Sequence, residues 1–251
     1  MSRCLNMLCV LPLFGILPLL VTHLVAADEQ SGNSTIERES RSINGWIVHI
    51  DKRLLQKEPK ATRHALNLLK KQLLEIIRVV PKPAVAELQK VPLYFSPEYE
   101  PNKGRAEFHP GEQWLKENGR DPVMAKAVEF TNVMIFEQEM RRMPNFALHE
   151  LAHAYHDLVL EEGFGNLQIT AVYERAGESG KYDNVERWHG VPNKNTFEKA
   201  YAMTNPMEYF AETTEAYFSK NDYFPFTNAE LKKTDPEMFD LLTELWGVKK
   251  K

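Results

Sequence analysis

His149-Glu150-Leu151-Ala152-His153 constrains this chain more than any other stretch of it. On a helix, residues four apart share a face, so both imidazoles can reach one ion. Glu150, beside the first histidine, stands at the edge of that face. There it can take a proton from a water held by the ion without being a ligand itself. Apolar Phe146, Ala147, Leu151, Ala154, Tyr155, Leu158 and Val159 flank the histidines. The run 145–157 therefore predicts a buried helix, apolar nearly all round, with Pro144 as its first residue and Gly163 and Gly165 closing the segment. A buried imidazole without a partner is costly, whereas a zinc-bound one is not. The competing reading is a helix that carries two histidines by accident.

The N-terminus has the layout of a secretory signal: Arg3, an apolar run over 5–21, then Val25-Ala26-Ala27, with cleavage expected after Ala27. An uncleaved anchor is the rival, but Pro12, Pro18 and His23 interrupt the run and polar residues follow at once. The expected location is secreted or otherwise extracytoplasmic, without stable membrane association after cleavage. Cys4 and Cys9, the only two cysteines, both lie in this leader. Disulfides and thiolate ligands then drop out of the processed protein, and imidazole and carboxylate remain to hold any metal, a donor set typical of catalytic zinc. A net charge of −4, with acids and bases dispersed, offers no basic surface for nucleic acid. Residues 28–42 hold no large apolar side chain except Ile36 and read as a disordered tail, with a glycosylation sequon at Asn33-Ser34-Thr35. Residues 43–251 suit a single domain.

Along that domain the pattern is α+β. Strands are expected at 43–50, 91–95, 105–108 and 127–135, and a helix at 62–80, where Ala65, Leu66, Leu69, Leu73, Ile76 and Ile77 recur at helical spacing until Pro81 and Pro83. A helical piece around Trp114 ends at the Asn118-Gly119 turn. Beyond the motif, helices are expected at 205–219 and at 235–246, where Asp235 caps and Pro236 opens the first turn. A small mixed sheet thus precedes a central histidine helix and a helical C-terminal half, with lobes at 43–143 and 144–251.

Two histidines do not complete a catalytic zinc site, which needs three protein ligands and an open position. A metzincin would place its third histidine where this chain has Val159. His156 lies one turn beyond His153, but three ligands on one rigid helix do not easily surround a tetrahedral ion. The better source is Asn205-Pro206-Met207-Glu208-Tyr209-Phe210-Ala211-Glu212, which Asn205 can cap. Glu208, Glu212 and Glu215 recur on one face of this otherwise apolar helix, with no lysine or arginine from 206 to 218 to compensate them. A buried acidic face needs a cation, and a zinc ion would supply one, with Glu208 as its third ligand.

The motif, followed by Tyr201, Glu208, Tyr209, Phe210, Ala211 and Glu212 in this order, resembles the gluzincin metallopeptidases, in the form found in the catalytic domain of anthrax lethal factor and related small secreted bacterial proteins. The likeness covers about 127–246. It implies a zincin-like fold, one Zn²⁺ held by His149, His153 and Glu208, and hydrolysis of a peptide or protein substrate with Glu150 as general base. It further implies that Tyr201 stabilises the oxyanion and that Glu212 stands behind the ligands, where it would orient an imidazole. The connection from His153 to Glu208 is longer than in that family, and the toxin's large recognition domains are missing, so toxin function is not implied. Two alternatives stay open: a secreted zinc-binding or adhesive module without hydrolysis, which has no use for Glu150, and a non-peptidase amidase.

The remaining candidates read as structural. Asp157 is a second choice for orienting an imidazole, and Glu215, a further turn along, is expected to matter least and to reach solvent. His109 and His189 are expected at the surface, and Trp46, Trp114, Trp188 and Trp246 in the core rather than in substrate subsites. The strand at 127–135 is a candidate edge for an added peptide strand.

Overall fold

The computed structural model describes residues 36–101 and 103–249. The expected leader and cleavage site, the sequon and the first part of the expected tail lie outside the described residues. Among the described residues no helix is long and apolar enough to cross a membrane.

The fold is α+β. Five strands, β1 (Arg38–Ile43), β2 (Trp46–Asp51), β3 (Leu93–Phe95), β4 (Ala106–His109) and β5 (Ala127–Phe130), form a mixed sheet in the order β1-β2-β3-β5-β4. The outer pairs are antiparallel and the inner ones parallel. Between β2 and β3 run α1 (Lys52–Lys57), α2 (Pro59–Val79) and α3 (Lys82–Leu88). α4 (Glu112–Glu117) lies between β4 and β5, and α5 (Phe136–Arg142) leads into α6 (Phe146–Leu158), the histidine helix. Then follow α7 (Leu167–Glu178), a hairpin of β6 (Val185–Arg187) and β7 (Thr196–Glu198), α8 (Pro206–Phe218), α9 (Asn228–Thr234) and α10 (Pro236–Leu245).

Period-two alternation divides the sheet between two cores. Val48, Ile50, Leu93, Phe95, Val128 and Phe130 join one large cluster with α2, α6, α8 and α10, whereas Tyr94 and Ala127 face a small one with Leu115 and Met124. Since the large core takes residues from both expected lobes, the sheet and the C-terminal helices share one interior.

Four expectations are corrected here. Residues 38–42, read as tail, are strand β1. The cause is Asn44-Gly45, whose positive φ of 52° and 96° makes the two-residue turn that folds β1 back on β2. The strand expected at 43–50 therefore starts at Trp46. The strand expected at 127–135 ends at Phe130, and it lies between β3 and β4, so the outer strands are β1 and β4 rather than this one. Pro144 precedes α6 instead of opening it: Asn145 is the cap, and its Oδ1 accepts from Leu148 N–H at 3.1 Å.

At the hairpin turn, a side chain on Gly45 would be strained by its φ and would meet the Gln89 amide, which itself donates to the Asn44 carbonyl at 2.9 Å. Gly45→Ala is expected to cost about 2 kcal/mol and lower the melting temperature by about 4–8 °C. Thermal unfolding followed by circular dichroism checks this, and an unchanged midpoint contradicts it.

Candidate metal centre

α6 is wedged between the β4 edge of the sheet and α8, and every residue from Phe146 to His156 is buried. Asn205 caps α8 through a bond from Glu208 N–H to its Oδ1 at 2.8 Å, and Pro206 opens the first turn. This cap turns the first carboxylate of α8 towards the histidine face of α6.

Three donor atoms then converge. His149 Nε2 lies 3.2 Å from Glu208 Oε2, His153 Nε2 lies 3.3 Å from the same oxygen, and the two Nε2 atoms are 3.1 Å apart. Ligands about 2.0–2.1 Å from a tetrahedral ion stand about 3.3 Å from one another, so this triangle has the dimensions of one face of a zinc coordination shell. Behind it, His149 Nδ1 lies 3.0 Å from Glu215 Oε2. With Nδ1–H donating to that carboxylate, Nε2 keeps its lone pair for an ion.

Burial disfavours charge on His149, but its bonds to Glu208 and Glu215 outweigh this and hold its pKa well above the ordinary value. Glu208 moves the other way: burial opposes ionisation, yet both histidines hold it well below the carboxylate range. Glu150 is raised, by burial first, against the partly offsetting pull of the two histidines and of a backbone bond from Phe108. Burial also raises Glu215, to about 7, and pushes Glu212 well above its usual value, helped there by the negative charge of Asp222. The site is thus a compact, mutually dependent set of largely buried acids and imidazoles.

The triad opens on a cavity of about 480 Å³. Glu150, Tyr201, Phe164 and Phe108 line it together with Arg142, Arg187, Asp222 and Tyr223. Tyr201, in the short helical turn Tyr201–Thr204, directs its hydroxyl at Glu208 Oε1, 3.4 Å away. Glu150, His149, His153, Glu208 and Tyr201 are therefore brought together at one cavity.

Several placements differ from expectation. Glu215 does not reach solvent: it is fully buried and makes the close contact with His149, whereas Glu212 stays 3.7 Å from Nδ1. The pitch of α8 explains this, since two turns past Glu208 the helix has carried Glu215 behind the first imidazole. His156 is buried against Phe164 and Phe210, and neither ring nitrogen has a partner. Asp157 pairs with Lys126 at 2.6 Å and not with an imidazole. His109 is buried, with Nε2 2.9 Å from Glu129 Oε2, because this acid on the neighbouring strand gives an interior imidazole its partner and is itself held by Arg120 at 3.2 Å. His189, in the β6–β7 loop, bonds Thr196 at the start of β7 and is not among the residues that line the cavity. Trp46 and Trp246 are core residues, but Trp114 is 41% exposed over Arg120, and Trp188 is half-buried with its Nε1–H on the Arg141 carbonyl.

Sequence reasoning missed the pair of Arg142 and Asp222, 2.5 Å apart and supplied by segments eighty residues distant, and the Phe108 backbone bond. Neither has a local pattern. Glu215 did have a signal, the uncompensated third acid on an apolar helix. Compared with known proteins, the chain matches no family model, no curated protein and no solved structure.

Two outcomes are expected. Glu215→Ala weakens zinc binding more than Glu212→Ala does, by about 10- to 100-fold, because it alone removes the acceptor for His149 Nδ1–H; calorimetric zinc titration of both variants decides the order. For His156, burial and then His153 lower the pKa from 6.5 to about 4. A lowered folded-state value means that the unfolded chain binds the proton more readily. The contribution of His156 is complete above about 6.5 and is lost as pH falls towards 4, up to about 3 kcal/mol. His156→Phe removes this component, so denaturation curves of the two proteins, subtracted from each other, change across that window. A flat difference contradicts the assignment.

Proposed function

We propose that this protein is a zinc-dependent hydrolase, in the first place a gluzincin-type metallopeptidase on a zincin-like scaffold, acting outside the cytoplasm on peptide or protein substrates. The observation that carries this reading is the 3.1–3.3 Å triangle of His149 Nε2, His153 Nε2 and Glu208 Oε2 at an open cavity, with the Glu150 carboxyl beside it. Two imidazoles and one carboxylate match the donor chemistry of catalytic zinc. A zinc ion, when bound, supplies Lewis acidity and brings the pKa of a coordinated water towards neutrality.

The chain's own groups account for the remainder. Glu150, whose pKa burial has raised, accepts a proton from the attacking water and returns it to the leaving amine nitrogen as the C–N bond breaks. Its place in the wall of the cavity gives it access to both. Tyr201, half-exposed at the mouth, donates its hydroxyl to the oxygen that gains charge at the scissile carbonyl. Glu215 holds His149 in the tautomer whose Nε2 keeps a lone pair on the side of Glu208 and His153, and Glu212 stands 3.7 Å from the same Nδ1.

The test uses the processed chain, its Glu150→Gln and Tyr201→Phe variants, and the triad variants. Wild type is expected to bind one zinc and cleave peptides from a library. Glu150→Gln retains zinc and loses at least about 10²-fold in turnover, and Tyr201→Phe retains zinc with slower turnover. His149→Ala, His153→Ala and Glu208→Ala lose zinc. Full zinc occupancy in a His149→Ala/His153→Ala double variant, or wild-type affinity in Glu208→Ala, overturns the ligand set. Zinc bound with no cleavage of peptides or simple acyl amides overturns the hydrolase.

A further inference from the structure

β4 is an outer strand, and its backbone groups divide between a paired and a free side. Thr131 N–H donates to the Arg105 carbonyl at 2.8 Å, and Lys126 N–H to the His109 carbonyl at 2.7 Å. These bonds turn Arg105 and His109 towards β5. Along an antiparallel strand the hydrogen-bonding direction alternates, so the backbone groups of Ala106 and Phe108 turn outward, to the cavity that both residues line. Outward amides on an edge strand ordinarily face water or another chain. Here the Phe108 N–H is taken: it donates to Glu150 Oε2 at 2.9 Å. The two partners are forty-two residues apart, and the carboxylate that receives the bond is the group assigned above as the base.

We infer that the Phe108 backbone amide is the positioning group of Glu150, and that an extended peptide seated along the free edge of β4 displaces the carboxylate from it. The inference rests on the reading of Glu150 as the base. One N–H cannot serve a carboxylate and a visiting carbonyl at full strength. A carboxylate is the stronger single acceptor. An extended chain compensates by pairing at Ala106 and Phe108 together, with donors and acceptors in register. In the free protein Glu150 lines the cavity with one of its two oxygens engaged by this bond. With a chain in place, that oxygen is released and both are free to take the proton. Seating an extended substrate and freeing the base thus become one event, and a substrate too short to pair along β4 meets a base that is still held.

The first readout needs neither zinc nor turnover. In the zinc-free protein, amide exchange at Phe108 is expected to be at least about tenfold slower than at Ala106, and Glu150→Ala abolishes the difference. A blocked octapeptide library added to Glu150→Ala then protects both amides. The second readout is kinetic and uses Phe108→Pro, which removes the N–H at an outward position where an edge strand accepts proline. It should speed hydrolysis of a blocked dipeptide amide by roughly tenfold, the worth of one charge-assisted bond, and slow that of an octapeptide. A general loss of structure would slow both. An unprotected Phe108 amide in wild type, protection that survives Glu150→Ala, or a library that leaves both amides unprotected overturns the inference, as does equal slowing of the two substrates in a folded Phe108→Pro protein. If wild type cleaves nothing, the hydrolase reading fails by itself and the exchange data still decide whether the amide holds Glu150 and yields to a peptide.

Discussion

The packing of α6 on α8 is a problem of buried charge before it is anything else. These two helices carry His149, His153, Glu150, Glu208, Glu212 and Glu215 into their shared region, and four of those six groups are carboxyls, three of them buried and Glu208 partly so. No lysine or arginine on α8 relieves them. Such an interface is tolerable only if each acid has a partner, or a proton, or an ion nearby. The imidazoles partner Glu208 and Glu215, and Arg142 reaches in to neutralise Asp222. Glu212 Oε2 and Glu215 Oε1 keep no hydrogen-bond partner. A divalent cation between His149, His153 and Glu208 would relieve this excess of negative charge.

Around that interface the scaffold uses ordinary means. Caps at Asn145 and Asn205 fix where α6 and α8 begin, and therefore how their first turns face each other. The aromatic group of Tyr155, Phe210, Phe218 and Trp246 clamps the far ends of the same helices, with Tyr155 and Trp246 stacked at 4.1 Å. Between caps and clamp the relative rotation of the helices has little freedom. The 3.1–3.3 Å spacing of the donor atoms depends on it.

Much of this was legible in the sequence, and the part that was not has a common cause. The i, i+4 histidines, the cap at Asn205, the proline at 206 and the apolar surroundings of Glu208 are local signals, and the structure brings those residues to one place. Helix α2 and the C-terminal α10 also follow from spacing and capping alone. The errors arose where position depends on partners from afar. His109 looked like a surface residue because nothing near it in sequence announces Glu129 and Arg120, and Glu215 looked peripheral because helical pitch was counted from Glu208 rather than from His149. Residues 38–42 looked like tail for want of apolar side chains. In an outer strand, however, a good turn at Asn44-Gly45 and backbone pairing can stand in for burial.

The cross-strand group behind β4 has a consequence for solubility. Any sheet edge that can accept a visiting chain can also accept a copy of itself, and self-pairing of such strands is how soluble proteins begin to polymerise. On the face of β4 opposite Ala106 and Phe108, Glu107 and His109 are tied to Arg120 and Glu129, and Arg120 lies over both Tyr99 and Trp114. A slip of one residue would bring Phe108 into that charged nest and leave the acids and the imidazole without partners. The strand is thereby locked in one register, with α6 packed beside it, so a copy of the strand that paired with it out of register would have to break these ion pairs.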